Sequence, residues 1–336
     1  MHTPSVGHGA RRRVLALLVI AATAVWWSAG PRVASAGSSA SFGEAERVEY
    51  QRVDGESFDV VLAGPAGDEA LPTAILVHGG GWSSGSVTNM DEIADLFGQH
   101  GWRTVTPEYR RTPHPAQRDD IVRVIDWTLR NGDRLGIDGH HVVLVGASSG
   151  GNVALLAAAE RSSVVAAVIS LSGPTDLEAM VSSGTEAGTV LRYVGCSREA
   201  TVASCEALRA ASPVTQVTED FPATMQVFGT EERVGVDQAA ALDDLLRSLG
   251  RPSEVRTVDG RLHGRNLFPV TADVIFAFVD ESFANASAES ERAAADAPSS
   301  TSGDTSIVWI WPLPALAVVA AVLVGLRRWR SDRRDS

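Results

Sequence analysis

The sequence predicts an α/β fold: a mostly parallel central sheet with helices on both faces. Three observations carry this. Apolar runs with strand composition alternate with stretches of helical period from Thr73 onward, and strand–helix alternation implies parallel strands joined by crossovers. Two glycine-rich segments, His78–Trp82 and Gly146–Gly151, each follow directly on such a run. The 336 residues are 44% hydrophobic and 21% charged, enough apolar material for a core and too little charge for an acidic disordered chain.

The chain opens on a basic, apolar segment. Residues 1–36 hold four arginines and no acid, with Arg11-Arg12-Arg13 ahead of Val14–Trp27, in which Thr23 is the single polar residue. Ala34-Ser35-Ala36 has the small-residue form of a cleavage site, so 1–36 reads as a secretory signal peptide. The next 36 residues, 37–72, hold two strands, Arg47–Val53 and Phe58–Leu62, with no helix between them. They suit an antiparallel edge and leave no room for a large N-terminal cap. The remaining expected strands are Thr73–His78, Arg103–Pro107, His141–Gly146, Val164–Leu171, Thr224–Phe228 and Glu254–Val258. The expected helices are Asn89–His100, Ala116–Leu135, Gly150–Arg161, Ser197–Ala210, Val236–Leu249 and Thr271–Phe283. Together they make one domain, residues 37–286. The insertion Ser172–Pro222 supplies a short lid. It contains Cys196 and Cys205, which in an exported protein are expected to pair and close a short loop worth about 2–3 kcal/mol.

The ends of the strands carry the chemistry. After the strand at His78 comes His78-Gly79-Gly80-Gly81-Trp82. Glycines there permit backbone conformations that turn N–H groups toward a developing oxyanion. Gly146-Ala147-Ser148-Ser149-Gly150 is a G-x-S-x-G turn between a strand and an Ala/Leu-rich helix, the setting that lifts a nucleophilic hydroxyl above the sheet. Ser148, flanked by both glycines of the motif, is the expected nucleophile and Ser149 its rival. The N–H groups of Gly80, Gly81 and Ser149 are the expected oxyanion hole. His78 is expected to support its loop through the backbone. A nucleophile elbow takes its partners in the chain order serine, acid, histidine. Of eight histidines only His263 follows Ser148, in a loop after the last strand. The acid is expected after the strand Thr224–Phe228, in Gly229–Val234 at Glu232, three residues past the glycine; Glu231 and, just beyond that segment, Asp237 are alternatives. Trp82 and Tyr109 are candidates to line a substrate pocket, and either suits the core equally.

The composition excludes other chemistries. All 29 basic residues are arginine, so Schiff-base, P-loop and kinase lysines are absent. Two cysteines make neither a dense disulfide scaffold nor a Cys-rich zinc site. The formal charge of −12 argues against a nucleic-acid binder. The proposed chemistry requires no metal or cofactor.

Beyond Ala286, residues 287–306 are rich in Ala, Ser, Glu and Asp and read as a disordered polar linker. Ile307–Leu326 is twenty residues without a charge, the length of a membrane span. Five arginines in 327–336 form a basic tail expected to stay cytoplasmic. The expected arrangement is single-pass in the cell membrane, with the catalytic domain outside the cytoplasm and membrane attachment through the C-terminal helix.

His78–Trp82, Tyr109-Arg110, Pro113–Asp120, Gly146–Gly151, Leu171–Leu177, Ala211-Ser212-Pro213 and Gly229–Val234 together resemble the α/β-hydrolase superfamily esterases. The nearest branch is the feruloyl/acetyl-xylan esterase-like one, beside the hormone-sensitive-lipase group. The likeness covers about residues 44–283. It implies an α/β-hydrolase fold and hydrolysis of a small-molecule carboxylic ester through a serine acyl-enzyme. The chain departs from that pattern at Glu232, where Asp is usual. It departs again at Arg261-Leu262 before His263, where Gly or Pro is usual. Two other readings of the same residues are a serine peptidase of this fold and a catalytically inactive hydrolase-like binding module. The sequence does not indicate an oligomeric state.

Overall fold

A computed structural model describes residues 45–67, 69–138 and 141–296. The expected signal peptide, the membrane span, the basic tail and the linker beyond residue 296 lie outside the described residues. Among the described residues, no helix is long and apolar enough to cross a membrane.

The chain begins with a hairpin, β1 (Glu46–Val53) against β2 (Glu56–Ala63). Asp54 and Gly55 both turn with positive φ, 51° and 85°, the two-residue turn whose twist suits antiparallel strands. The core of the sheet follows: β3 (Thr73–Val77), α1 (Asp91–Gln99), β4 (Arg103–Pro107), α2 (Ala116–Arg130), a short α3 (Gly132–Leu135), β5 (Val142–Ala147), α4 (Ser149–Glu160) and β6 (Val165–Leu171). The insertion holds α5 (Leu177–Ser183), α6 (Ala187–Tyr193) and α7 (Ala207–Ala210). The chain then returns through β7 (Ala223–Gly229), α8 (Asp237–Ser248), β8 (Ser253–Val258) and α9 (Phe268–Asp296).

The eight strands form one sheet in the order β1-β2-β4-β3-β5-β6-β7-β8. The β1–β2 and β2–β4 pairings are antiparallel and the rest are parallel. Every residue of β3, β5, β6 and β7 is buried, as parallel strands covered on both faces must be. Successive side chains alternate between the two faces. Ile75 and Val77 of β3 join α2 and α4 through Ile121, Val124, Val153 and Leu155. Ala74 and Leu76 join α1 and α9 through Ile93, Phe97, Ile275 and Val279.

Two expectations are corrected here. Ser197–Ala210 is not one helix; it contains a 3₁₀ turn at Val202–Ser204 and the single turn of α7. Ser, Thr and Cys are poor helix formers, and the side chain of Ser204 instead accepts from the Thr201 N–H at 2.9 Å. The polar stretch after Ala286 is helical as far as Asp296, not disordered. Its Ala, Glu and Arg residues are strong helix formers. They extend a helix already nucleated and packed, so each adds a hydrogen bond without the cost of a new nucleus. The insertion also contains α5 and α6, which pattern alone did not separate from loop. The Cys196–Cys205 disulfide is present, with Cα atoms 6.2 Å apart.

Candidate active site

The site lies outside the carboxyl ends of the parallel strands, where an open α/β sheet leaves a crevice. β5 runs into Ala147, and Ser148 turns the chain into α4 with φ 53° and ψ −126°. This turn needs glycine on either side. A Cβ on Gly146 would stand 2.4 Å from Gly150 O, and one on Gly150 2.3 Å from Val77 O. Strand, helix and the neighbouring strand therefore meet backbone to backbone. The Ser148 N–H donates to Leu171 O at 2.7 Å, which pins the turn to the end of β6.

The Ser148 Oγ hydroxyl donates to His263 Nε2 at 2.8 Å. His263 Nδ1 is hydrogen-bonded to Glu232 Oε2. The Glu232 side chain is fully buried. Its other oxygen accepts from the Gly229 N–H at 3.0 Å and from the Ser172 hydroxyl at 2.7 Å. Three donors hold this carboxylate in position without solvent. The imidazole is thereby kept in the tautomer whose Nε2 accepts from Ser148. Of the three acids considered, Glu232 meets His263. Glu231 is exposed beside Arg261, and Asp237 begins α8. Ser149 is buried, and its hydroxyl has no partner among the described residues.

The glycine-rich loop after β3 faces the same hydroxyl. Gly80 and Gly81 have φ 139° and 57°. A Cβ on Gly80 would stand 2.1 Å from Ser84 O. The N–H groups of Gly80, Gly81 and Ser149 have no acceptor among the described residues. His78 does not reach the reacting centre. Its Nδ1 donates to Gly79 O at 2.8 Å, and its ring stacks on Tyr109 with centroids 4.4 Å apart. Burial lowers its pKa below the ordinary histidine value.

Of the two places open to them, Trp82 and Tyr109 take the core and not the pocket over Ser148. Trp82 stacks on Tyr193 at 4.5 Å and donates Nε1–H to Asn152 Oδ1 at 3.2 Å. Tyr109 donates its hydroxyl proton to His78 O, and burial raises its pKa. Both rings are turned inward because their polar tips find partners beneath the glycine-rich loop rather than above it.

Sequence reasoning assigned no role to Ser172 or Asn152. Ser172 is buried, has φ 57°, donates to Glu232 and accepts from the Gly264 N–H at 2.9 Å. It therefore joins the acid to the residue after His263. Its position directly after β6, at the carboxyl end of a central strand, was the available signal. Asn152 Nδ2 donates to Pro174 O and Ala211 O at 3.1 and 3.0 Å, tying α4 to both ends of the insertion. No local pattern distinguishes it from a helix-surface Asn.

A cleft of about 690 Å³ opens over Ser148 and His263, walled by the glycine-rich loop, by Glu186, Thr189 and Arg192 of the insertion, and by Arg233, Gly264 and Arg265. Among the described residues, no group of three or more His, Cys, Asp or Glu side chains is placed to hold a metal ion. The arrangement is able to deprotonate a hydroxyl as it attacks an electrophilic carbon and to receive an oxyanion on backbone N–H groups.

The sequence profile of the BD-FAE family matches residues 58–246, more than half of the chain. The chain is similar to the carboxylesterase NlhH of Mycobacterium tuberculosis, 32% identical over 93 residues (26% of this chain and 29% of that protein). It is similar also to an ethyl acetate hydrolase of Pseudomonas putida, 33% identical over 108 residues (30% and 34%). The matched stretch thus spans about a third of these relatives' length. Among solved structures, a thermophilic esterase of Thermogutta terrifontis superposes with TM-score 0.58 at 19% identity, covering 70% of this chain and 92% of its own. An acetyl ester-xyloside bifunctional hydrolase of Caldicellulosiruptor lactoaceticus gives 0.59 at 17%, covering 70% and 94%. These likenesses show the α/β-hydrolase fold.

Proposed function

The chain belongs to the BD-FAE family, and on that premise we propose that it is a serine carboxylic-ester hydrolase with Ser148, His263 and Glu232 as its triad. The observation that carries this is the continuous hydrogen-bonded chain from the Ser148 hydroxyl through both nitrogens of His263 to the buried Glu232 carboxylate. The names of the relatives, a carboxylesterase and an ethyl acetate hydrolase, support the same reaction class.

Ser148 Oγ attacks the ester carbonyl carbon as its proton passes to His263 Nε2. The carbonyl oxygen becomes an oxyanion and takes hydrogen bonds from the Gly80, Gly81 and Ser149 N–H groups. The bond to the alcohol oxygen breaks, and His263 Nε2 protonates that oxygen, leaving an acyl-Ser148. A water then gives its proton to Nε2 and attacks the acyl carbon. The carboxylic acid leaves and the proton returns to Ser148. Glu232 stays ionised throughout, holding the imidazole and stabilising the imidazolium.

Ser148→Ala should lower kcat for p-nitrophenyl acetate by about 10⁴-fold or more and abolish labelling by a fluorophosphonate. Retained turnover would remove Ser148 from this role. The apolar N-terminal segment and the twenty-residue stretch Ile307–Leu326 support export and a C-terminal membrane tether. Release of the catalytic domain into the soluble extracytoplasmic fraction on truncation at residue 297, with the full chain in the membrane fraction, tests that arrangement.

A further inference from the structure

The cleft above Ser148 differs in charge from the domain that carries it. Between residues 37 and 306 the chain has 20 arginines against 39 acids, a net −19. At the cleft the balance reverses. Its charged walls are Arg192, Arg233 and Arg265 with a single carboxylate, Glu186. Glu186 lies 3.6 Å from Arg233 Nη1. Arg192 and Arg265 are exposed and have no carboxylate within ion-pair distance among the described residues. The three come from separate segments. Arg233 follows Glu232, Arg265 stands two residues beyond His263, and Arg192 belongs to α6 of the insertion. Two of them are thus held within two residues of triad members.

The rest of the wall says what the cleft does not favour. Its apolar side chains are Met90 and Ala147; the remainder is glycine or polar. Met90 is itself almost wholly buried. The aromatic rings nearest to it in sequence, Trp82, Tyr193 and Phe268, are buried in the core. Among the described residues the cleft has no apolar trough for a long acyl chain and no ring to stack on a flat aromatic acid. What the wall offers is guanidinium groups, whose planar donor pairs match a carboxylate in two parallel hydrogen bonds.

We propose that the substrate is an ester bearing a negative charge, a carboxylate on its acyl or its alcohol part, which Arg192 and Arg265 receive while Ser148 attacks the ester carbonyl. This rests on the ester-hydrolase reading and narrows it. A general field for the oxyanion is the other role open to these arginines, but such a field speeds charged and neutral esters alike, whereas a receptor for a carboxylate separates them.

The test uses the full chain and two matched pairs of esters. One pair places the charge in the acyl part: p-nitrophenyl monoadipate against p-nitrophenyl heptanoate. The other places it in the leaving group: 4-acetoxybenzoate against methyl 4-acetoxybenzoate. The charged member of at least one pair should have the higher kcat/KM, by about tenfold at low salt, the lower end of electrostatic focusing in a cleft. That ratio should shrink as ionic strength rises, because exposed charges are screened. It should fall toward one in the double variant Arg192→Gln/Arg265→Gln. A ratio at or below one in both pairs overturns the inference. So does a preference that the double variant leaves intact. If neither pair is hydrolysed the inference also fails, and fluorophosphonate labelling of Ser148 then tells whether the ester-hydrolase reading fails with it.

Discussion

The two halves of the crevice are built by different means. The half that follows β3 and β5 is made of backbone. Its working groups are N–H donors, and its shape depends on places where a Cβ would collide with a carbonyl oxygen 2.1–2.4 Å away. The half that follows β6, β7 and β8 is made of side chains: Ser172 to Glu232, Glu232 to His263, His263 to Ser148. The first half is intolerant of added atoms and indifferent to side-chain chemistry. The second is the reverse, since each member is oriented by the one behind it. The comparison predicts that substitutions in the two halves fail in different ways.

The largest effect should come from breaking the side-chain relay at its charged member. Glu232→Gln keeps the size but removes the charge that stabilises the imidazolium. kcat for p-nitrophenyl acetate should fall by about 10³–10⁴-fold with little change in KM. Unchanged kinetics would shift the role to Glu231 or Asp237. Next is the backbone half. Gly80→Ala drives a methyl group into Ser84 O at a φ of 139°. The loop must move, and the loss of an oxyanion donor should cost about 10²–10³-fold in kcat. Full activity in this variant would mean that the loop does not serve the oxyanion.

Ser172→Ala sharpens the comparison with a smaller change. It deletes one donor to Glu232 and one acceptor for Gly264 without adding volume. Because Ser172 acts through Glu232 and His263, it is a positioning residue. A loss of about tenfold in kcat is expected, from hydrogen bonds worth about 1 kcal/mol each. Thr should restore most of it and Val should not. The acid limb of the pH–rate profile should also move, which a merely structural serine would not cause.

The smallest effect concerns pH and stability. His78 supports the backbone half, and His114 packs against Tyr193 of the insertion with its backbone N–H on Tyr193 O at 2.8 Å. Burial lowers the pKa of both, that of His114 to about 4, with nearby Arg118 adding to the effect. The folded state then binds fewer protons than the unfolded state between pH about 6.5 and about 4. Their contribution is complete above the upper value and is lost as pH falls through that window. The melting temperature should decline across it, and His114→Gln should make the decline shallower.

The same division explains what was legible in the sequence. All eight strands were readable, because the runs of β3, β5, β6 and β7 are apolar on both faces and need both faces covered. The backbone half announces itself in glycine, since only glycine satisfies its contacts. Motif and order single out Ser148 and His263, an offset from Gly229 singles out Glu232, and the fold brings the three into one hydrogen-bonded chain. Ser172 was passed over because a serine after a strand has many uses, and only the arrival of Glu232 and Gly264 from distant segments gives it one. The sequence leaves Trp82 and Tyr109 open between pocket and core because an aromatic near a site suits either side of the wall. Asn152, Tyr193 and His78 decide the matter, and none of them is a near neighbour of both rings in sequence. The helical reach of α9 to Asp296 was hidden by a composition that suits both a soluble helix and a tether.

Sequence alone therefore determined the layer architecture, the glycine-flanked turn at Ser148 and the chain order Ser148, Glu232, His263, because each is encoded in local pattern: period, glycine and succession. Tertiary structure decided which acid meets the imidazole, which serine steadies that acid, which aromatics are core and where the arginines gather. Those outcomes depend on contacts across thirty residues or more of chain, and no local pattern carries the distance between two side chains that only folding brings together.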